Sequence, residues 1–443
     1  MKSMKLFSIL KAVGGICHEF SDCKIDNVTT DSRNIPENSV FLALKGEKFD
    51  GNKFVLDAFN KGALACIADK SANLPPHKNL IVVDDTGKAL LDLANYYRTL
   101  FSAKIVAITG SVGKTTTKEM IASVLEENFK TLKTQGNLNN LIGLPKTLFE
   151  LDDSVEAAVL EMGMSELNEI SQMSLCAAPH IGVITTVGTS HLETLKTREN
   201  ILRAKMEITH GLSYNSPLII NADNDLLSTV KTKEYHIITY GIHNEKASIR
   251  ATDITSDGVN TTFNITTKKE KIKVTIPSVG EHNVLNALAA FAVGKSFLMS
   301  NDSIIKGLLN YTPSGMRQRI KKSHGITVVE DCYNASPDSM RAAIKTLSSL
   351  ECEGKRIAVL GDMLELGEIS TSAHKAVGDL CKEEKIDIVL TFGENAKYID
   401  GTHFESKTDL ANHLKQTAKA GDIVWFKASR GMKFEEIIEE FSK

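Results

Sequence analysis

The chain has 443 residues, of which 42% are hydrophobic and 24% are charged. This length is too great for one hydrophobic core, so it predicts two to four domains in a folded, soluble protein. A formal net charge of −3 gives no basic field that would attract nucleic acid, so any polyanionic partner is expected to be a small, locally held ligand.

The cysteine pattern and the N-terminal sequence indicate the cellular compartment in which the protein is expected. Seven cysteines are scattered without a C-x-x-C pair, which argues against a disulfide framework and a structural zinc site. The N-terminal sequence MKSMKLFSILKAVGG has an apolar run too short for a signal peptide, and no other stretch is long enough to cross a bilayer. We therefore expect a cytoplasmic protein without membrane insertion.

Residues 1–102 predict a small N-terminal α/β domain. FLAL, ALACIAD and NLIVVDD have the apolar character of strands, and NKFVLDAFNKG and GKALLDLANYYRTL have helical periodicity.

Residues 103–313 predict a central domain of different design. KIVAITG, EAAVLEMG, HIGVITTVG, PLIINAD and HIITYG alternate with helical stretches, which is typical of a doubly wound, mostly parallel sheet with ligands at the carboxyl ends of its strands. The Thr- and Ile-rich stretch 247–277 predicts two or three antiparallel strands, interpreted as a β-rich insertion before the helix NVLNALAAFAVGKSF.

Residues 314–443 predict a smaller, Rossmann-like C-terminal domain, with strands ITVVED, RIAVLGDM, DIVLTFG and DIVWFKAS separated by helices. Ser336, Pro337 and Asp338 form a helix start, with a serine cap, a proline in the first position and an acid in the first turn. The loop before it, Tyr333-Asn334-Ala335, therefore lies at a strand end.

The stretch ITGSVGKTTTKEM, residues 108–120, predicts a phosphate-binding loop between a buried strand and a helix. Glycines permit the tight turn, backbone N–H groups bind the anion, and Lys114 supplies a positive charge near the terminal phosphates. The hydroxyl of Thr115 or Thr116 suits a magnesium ion. Ile108 stands where the full P-loop pattern has glycine, so an ordinary GTPase or kinase is not assumed. The alternative is a glycine-containing turn without a ligand.

Three further residues are weighed for metal binding. Glu161 ends an apolar strand, where an acid can hold magnesium directly or through water, although a solvated glutamate is the alternative. His191, with Glu193, lies in the loop after the next strand, and its metal or phosphate role competes with a structural one. Lys205 in ENILRAKMEI is, on composition alone, a solvated helix residue paired with a nearby acid.

Nine segments, in order and over nearly the whole chain, resemble the Mur ligases. They are TGSVGKTTTKE, GNLNNLIGLP, LEMGM, GTSHLE, AKMEI, NADND, GEHNVLNALAA, EDCYNASPDSM and VLGDMLELGE. The three-domain layout is also theirs. Within the family, FLALKGEKFDG, GNLNNLIGLP and DCYNASPDSM look most like the member that adds D-Ala-D-Ala to UDP-N-acetylmuramoyl-tripeptide in peptidoglycan synthesis.

The resemblance implies an ATP-dependent amide ligation. ATP phosphorylates the terminal carboxylate of the UDP-linked tripeptide, and the amine of D-Ala-D-Ala attacks the acyl phosphate. Because two anions must approach each other, a cation such as Lys114 and Mg²⁺ are needed to offset their repulsion. The implied ligands are ATP, Mg²⁺, the UDP-sugar tripeptide and the dipeptide. A monomer is expected.

The resemblance also assigns residues. The ATP site comprises Gly110, Ser111, Val112, Gly113, Lys114, Thr115, Thr116, Asn283, Arg317, Asp331, Tyr333 and Asn334. The magnesium ligands are Thr115, Glu161, His191 and Lys205, with Lys205 carbamylated and hence anionic, which reverses the composition-based interpretation. Lys114, Lys205 and His191 are the implied catalytic residues.

The implied substrate contacts fall in two groups. The N-terminal group for the UDP-sugar is Thr30, Asp31, Ser32, Arg33, Lys45, Gly46 and Glu47, and the group for the sugar-peptide is Asn137, Asn139 and Asn140. Asn52 departs from the family pattern, which usually has histidine there, and is left out of the site.

Three alternatives remain. Folylpolyglutamate synthetase shares the ligase core, but about a hundred residues precede the phosphate loop here, whereas its loop starts close to its N-terminus. The Mur ligase that adds the third amino acid carries a D-N-P-R motif, which is absent from this chain. A P-loop nucleotide switch belongs to a different class and needs neither a sugar-binding domain nor a second Rossmann-like unit.

Overall fold

The computed structural model describes residues 1–46 and 49–442. It divides into two compact units. The first unit comprises Met1–Ala107, Phe129–Gly182 and Glu207–Tyr214, and the second comprises Ile108–Asn128, Val183–Met206 and Asn215–Lys443. The domain boundaries 1–102, 103–313 and 314–443 stay a prediction.

The N-terminal part is a small α/β fold, as predicted. Its elements are β1 (Met4–Lys5), α1 (Leu6–Val13), β2 (Lys24–Ile25), β3 (Asn27–Thr29), β4 (Ser39–Leu42), α2 (Val55–Asn60), β5 (Ala65–Asp69), β6 (Leu80–Val83) and α3 (Thr86–Thr99). Strands β3, β4, β5 and β6 form a parallel sheet in that order. Asp85 caps α3 by accepting from the N–H groups of Gly87 and Lys88.

The central part alternates strands and helices. Its elements are β7 (Lys104–Thr109), α4 (Lys114–Glu126), β8 (Thr131–Lys133), α5 (Gly143–Leu148), β9 (Ala157–Glu161), α6 (Glu169–Ala177), β10 (Ile181–Ile184), α7 (Leu192–Leu195), α8 (Arg198–Met206), β11 (Pro217–Asn221), β12 (His236–Gly241), β13 (Ile249–Ser256), β14 (Thr261–Thr266), β15 (Lys271–Ile276), α9 (Glu281–Ser296) and α10 (Asn301–Leu309). In the first unit β8 and β9 pair in parallel.

The Thr- and Ile-rich stretch forms three strands, as predicted, and they extend a sheet. Strand β13 pairs in parallel with β12, which pairs in parallel with β11. Strands β14 and β15 then add antiparallel neighbours. Pairing with β12 satisfies backbone groups that an exposed edge would leave to water. Helix α9 is buried along most of its length and packs against α4 in the second unit.

The C-terminal part has the predicted Rossmann-like character. Its elements are β16 (Arg319–Ser323), β17 (Ile326–Glu330), α11 (Pro337–Ser349), β18 (Arg356–Gly361), α12 (Ser370–Glu383), β19 (Ile388–Phe392), β20 (Thr402–Phe404), α13 (Lys407–Thr417), β21 (Ile423–Lys427) and α14 (Glu435–Phe441). The sheet order is β16-β17-β21-β18-β19-β20, and only β16 is antiparallel to its neighbour.

Each face of this C-terminal sheet has its own hydrophobic core. Successive residues of a strand point to opposite faces, and accordingly Trp425 belongs to one buried cluster and Phe426 to the other. The predicted start of α11 is confirmed: Ser336 caps it in a capping box with Ser339, and Pro337 takes the first position. The strand β17 and helix α11 therefore frame the loop 331–335.

Candidate active site

The phosphate loop, which follows β7 and leads into α4, belongs to the second unit. Gly113 is the N-cap of α4 and has φ +86°, so the helix begins at Lys114 without a side-chain cap. Such a helix start directs backbone N–H groups and the positive end of the helix dipole at an anion. The Lys114 Nζ donates to the carbonyl oxygen of Gly110 at 2.7 Å, so its charge lies over the loop.

Two glycines are required by close neighbours. A Cβ on Gly110 would lie 1.8 Å from Thr185 Oγ1, and one on Gly113 would lie 2.9 Å from Asn286 Oδ1. The loop after β10 also holds the phosphate loop directly, because Thr186 accepts from the N–H groups of Ser111 and Val112. These contacts fix the loop on both sides.

Lys205 is a buried residue, so the composition-based interpretation of it as a solvated helix residue is wrong. Its side chain is 1% exposed in α8, on the face that packs inward. Burial, followed by the nearby charge of Lys114, lowers the pKa of the Lys205 amine well below its usual value. The amine is therefore far more readily neutral than a surface lysine.

His191 shares this electrostatic environment. It is the N-cap of the short helix α7 and has φ +64°, so the predicted loop contains one helical turn, which also includes Glu193. Burial lowers the pKa of His191 to about 4, with further contributions from Lys114 and Lys205. The second unit thus brings Lys114, His191 and Lys205 together, as the sequence predicts.

Glu161 and the asparagine strip meet in the first unit. Glu161 is 3% exposed at the end of β9, and Asn139 Nδ2 donates to its Oε1 at 2.9 Å. The strip is ordered by its own turns: Asn137 O accepts from Asn139 N, and Asn140 Oδ1 accepts from the N–H groups of residues 142 and 143. The predicted acid and the predicted sugar-peptide strip are therefore neighbours.

Asn283 lies in a buried chain of amides in the second unit. Its Nδ2 donates to Gln318 Oε1 at 2.6 Å, and its Oδ1 accepts from Asn286 Nδ2 at 3.1 Å. Asn286 in turn accepts from the Thr117 hydroxyl at 3.0 Å, one turn into α4. Sequence reasoning missed Asn286 and Gln318. The three-residue spacing of Asn283 and Asn286, on one helix face, was the available signal for the first.

The C-terminal candidates gather at the carboxyl end of β17. The Arg317 guanidinium lies 3.9 Å from the Tyr333 ring centroid, a cation–π contact. Asp331 pairs with Lys427 Nζ at 2.7 Å, and the same Nζ lies 3.3 Å from the carbonyl oxygen of Asn334. Sequence reasoning missed Lys427, which is almost fully buried at the end of β21.

The predicted UDP-sugar contacts form two groups within the first unit. Arg33 donates to both carboxylate oxygens of Asp31, which holds the pKa of that carboxyl well below its usual range. Thr30 and Ser32 lie in the same turn after β3, and Ser32 O accepts from Lys61 Nζ. Lys45 belongs to the second group, and its Nζ donates a hydrogen bond to the Ser71 hydroxyl at 2.8 Å.

Two predicted UDP-sugar contacts, Gly46 and Glu47, fall in the next segment of the chain. The Gly46 N–H donates to Phe49 O at 2.8 Å. Glu47 lies outside the described residues. Asn52 is buried, and its side chain bonds Asp50 and the Asp69 N–H, which is a structural role.

Within residues 1–46 and 49–442, no three His, Cys, Asp or Glu side chains gather into a group that could hold a metal ion. Across the same described ranges, no helix has both the length and the apolar character needed to cross a membrane.

Three family profiles match the chain. "Mur ligase family, catalytic domain" matches residues 24–98, "Mur ligase middle domain" residues 108–294, and "Mur ligase, glutamate ligase domain" residues 316–430. Among known proteins, the UDP-N-acetylmuramoyl-tripeptide–D-alanyl-D-alanine ligase of Bacillus subtilis (strain 168) is 40% identical over 441 residues, covering 95% of this chain and 94% of that relative. The chain belongs to the Mur ligase family.

Other Mur ligases agree with this assignment. The ligase of the same name from Escherichia coli (strain K12) is 35% identical over 430 residues, covering 94% of each chain. A crystal structure of MurF from Acinetobacter baumannii superimposes with a TM-score of 0.92 at 31% identity, covering 100% of this chain and 99% of that one. MurF from Thermotoga maritima, solved in complex with ADP, gives 0.87 at 30% identity, covering 94% and 97%. The predicted three-domain Mur ligase architecture is thereby confirmed.

Proposed function

We propose that this Mur ligase is the ATP-dependent enzyme that joins D-alanyl-D-alanine to UDP-N-acetylmuramoyl-tripeptide. The products are UDP-N-acetylmuramoyl-pentapeptide, ADP and phosphate, in peptidoglycan synthesis. The observation that carries the proposal is the likeness to ligases of that printed name along 95% of the chain, from the N-terminal part to the C-terminal part. A shared ATP-binding core alone would not distinguish this reaction from other ligations.

The phosphate loop supports the first step, transfer of the γ-phosphoryl group to the tripeptide carboxylate. The start of α4 offers N–H groups to the phosphates, and Lys114 lies beside it. We propose that the Lys114 ammonium turns from the Gly110 carbonyl to the γ-phosphate, where it offsets the repulsion between phosphate and carboxylate. The acyl phosphate is then attacked by the dipeptide amine, and phosphate leaves.

The burial of Lys205 supports a second proposal, which concerns a modification of its amine. A buried amine with a depressed pKa is a neutral nucleophile, so it can attack carbon dioxide and lose a proton to give an anionic carbamate. The neighbouring charge of Lys114 favours that anion. We propose that Lys205 is carbamylated in the working enzyme.

The donor set fits magnesium once Lys205 is a carbamate, because an ammonium would repel the ion whereas carbamate, carboxylate and hydroxyl oxygens suit a hard cation. Thr115, Glu161, His191 and carbamylated Lys205 would hold it. Bound Mg²⁺ would neutralise phosphate charge during transfer. His191, whose lowered pKa keeps its imidazole neutral at pH 7, is able to act as a ligand.

The C-terminal residues would complete the nucleotide site. We propose that Arg317, held against Tyr333, faces the nucleotide phosphates, that Asp331 and Asn334 shape the adjoining loop, and that Asn283 contacts adenine. Thr30–Arg33, Lys45, Gly46 and Glu47 are proposed to bind the UDP-sugar, and Asn137, Asn139 and Asn140 the sugar-peptide. We propose that the enzyme works as a monomer, because all these residues come from one chain, and that it works in the cytoplasm.

Product analysis tests the proposal. The purified protein is mixed with ATP, Mg²⁺, D-Ala-D-Ala and UDP-N-acetylmuramoyl-tripeptides that differ in the third-position diamino acid, and products are identified by mass spectrometry. We expect the pentapeptide and one ADP per product, with no turnover when any substrate is left out. Addition of a single amino acid would assign another Mur ligase reaction. ATP hydrolysis without any ligated product would contradict the proposal.

A further inference from the structure

The segment Val187–Thr189, between β10 and α7, is held from several sides. The Val187 carbonyl oxygen accepts from Arg198 Nη2 at 2.9 Å and from Asn224 Nδ2 at 3.1 Å. The Gly188 N–H donates to the Ser111 hydroxyl of the phosphate loop at 2.9 Å. These bonds hold the Val187 carbonyl against Arg198 and Asn224, and they hold the Gly188 N–H against the phosphate loop.

A further contact to this segment comes from the C-terminal part of the chain. Asp338, in the first turn of α11, accepts at Oδ2 from the Thr189 N–H at 3.0 Å and lies 3.4 Å from the Thr189 hydroxyl. The approach is so close that a Cβ on Gly188 would lie 2.1 Å from Asp338 Oδ2. Glycine at 188 is thus what allows the carboxylate to reach this backbone.

Two short paths lead from Asp338 to the proposed site. One runs through Gly188 to Ser111 in the phosphate loop. The other runs through Thr189, whose carbonyl oxygen accepts from Leu192 N at 3.2 Å and so closes the turn that contains His191. Arg198, which donates to the Val187 carbonyl oxygen, is itself paired with Asp225 at 2.6 Å. The carboxylate therefore orders the backbone between the phosphate loop and His191.

We propose that Asp338 is a positioning residue of the ligase reaction. It acts by holding Gly188 and Thr189 against the phosphate loop, and not by touching substrate. The inference rests on the proposed function and deepens it, because it names a residue of the C-terminal part on which the geometry of the phosphate loop and His191 depends. Loss of this contact keeps the Ser336 cap of α11 but leaves the Thr189 N–H without the carboxylate that holds it, so this part of the segment is held less firmly.

Substitutions at 338 separate positioning from a general helix effect. Asp338→Ala removes the acceptor, and we expect kcat to fall about tenfold or more, since displacements near 1 Å at reacting groups cost about 100-fold. Asp338→Asn keeps a side-chain oxygen and should stay within about threefold of wild type. Asp409→Ala is the matched control, because Asp409 is an exposed acid in the first turn of α13. Loss in Asp409→Ala equal to that in Asp338→Ala would overturn the proposal, as would unchanged kcat in Asp338→Ala.

A double-mutant cycle tests the contact itself. Gly188→Ala forces the Asp338 carboxylate away, so both single variants and the double variant should lose kcat by similar factors, within about threefold of one another. Losses that multiply would overturn the proposal.

Unfolding midpoints of the same four proteins, measured without substrates, give a readout independent of the reaction and should show the same non-additivity. Additive midpoints would overturn the contact. A wild type that forms no product while the midpoints are non-additive would contradict only the proposed function.

Discussion

Gly110→Ala is expected to cripple the phosphate loop. Gly110 has φ +155°, and a Cβ there would lie 1.8 Å from Thr185 Oγ1 and 3.1 Å from Thr186 N, whereas ordinary contact begins at 3.4 Å. The Thr185 side chain cannot rotate away without loss, because its hydroxyl donates to Val112 O at 2.6 Å. One of the two loops must therefore shift by more than about 1 Å.

The size of the effect follows from two costs. A non-glycine residue in a sparsely populated positive-φ conformation costs about 1–3 kcal/mol, and overpacking of a tight site costs about 1–3 kcal/mol. A loop that moves to relieve them misplaces the helix start and Lys114. Since a misplacement near 1 Å costs about 100-fold in rate, we expect turnover to fall at least about 100-fold.

The assay is ADP release under saturating substrates, with pentapeptide formation measured in the same samples. Gly62→Ala is the control, because Gly62 also has positive φ (+99°) but nothing lies within 4 Å of its added Cβ. It should cost about 1 kcal/mol of stability and leave turnover near wild type. Turnover of Gly110→Ala within threefold of wild type, or an equal loss in Gly62→Ala, would refute the reasoning.

Three further predictions concern titratable side chains. Lys114→Ala should abolish ligation while the unfolding midpoint stays within about 2 °C, and phosphate release near the wild-type rate would contradict the proposed charge neutralisation. Lys205→Ala should lower activity severely, and added acetate or propionate should partly restore that activity. The activity of Lys205→Arg should not be restored in this way. Normal turnover and normal magnesium dependence of Lys205→Ala would remove the carbamate from the mechanism. Burial lowers the pKa of His282 from 6.5 to about 4, so the unfolded state takes up a proton first as pH falls and stability is lost between those values. His282 should contribute about 2 kcal/mol to the fall in unfolding free energy from pH 7 to pH 5, so this fall should be smaller by about that amount in His282→Gln but not in a variant of the exposed His18; the contribution of His191 remains in both variants.

The parts of the site that depend on local sequence were predictable. The turn, the lysine and the helix start of residues 110–116 form a continuous segment whose conformation is set by glycine φ angles and helix capping. The cap of α11 at Ser336 is local in the same sense, and the structure confirms it. The end of β9 at Glu161 was predicted correctly, because an apolar run that stops at an acid marks where a buried strand leaves the core.

Contacts between distant segments could not be predicted from spacing. Asn286 touches Thr117, Lys427 pairs with Asp331, and Asp338 reaches Thr189, and each pair is separated by roughly a hundred residues or more. A single sequence shows which residues share a helix face or follow a strand. It does not show which helix will pack against a given sheet edge. Polar residues on a helix face are most often solvated, so their presence there does not predict a buried contact.

Lys205 shows how the two kinds of information combine. Its sequence context, a polar helix with acids and bases nearby, indicates a solvated side chain, and that interpretation fails because packing turns this face of α8 inward. A buried lysine is costly as a cation, so its burial requires either a partner or a neutral form. The nearby Lys114 is a cation, and its charge makes the protonated form of Lys205 less favourable still. A neutral amine, or an anion made from it, is the form consistent with both observations. The family resemblance predicted the anion from motif positions alone, and burial beside a cation is a physical argument that supports this proposal.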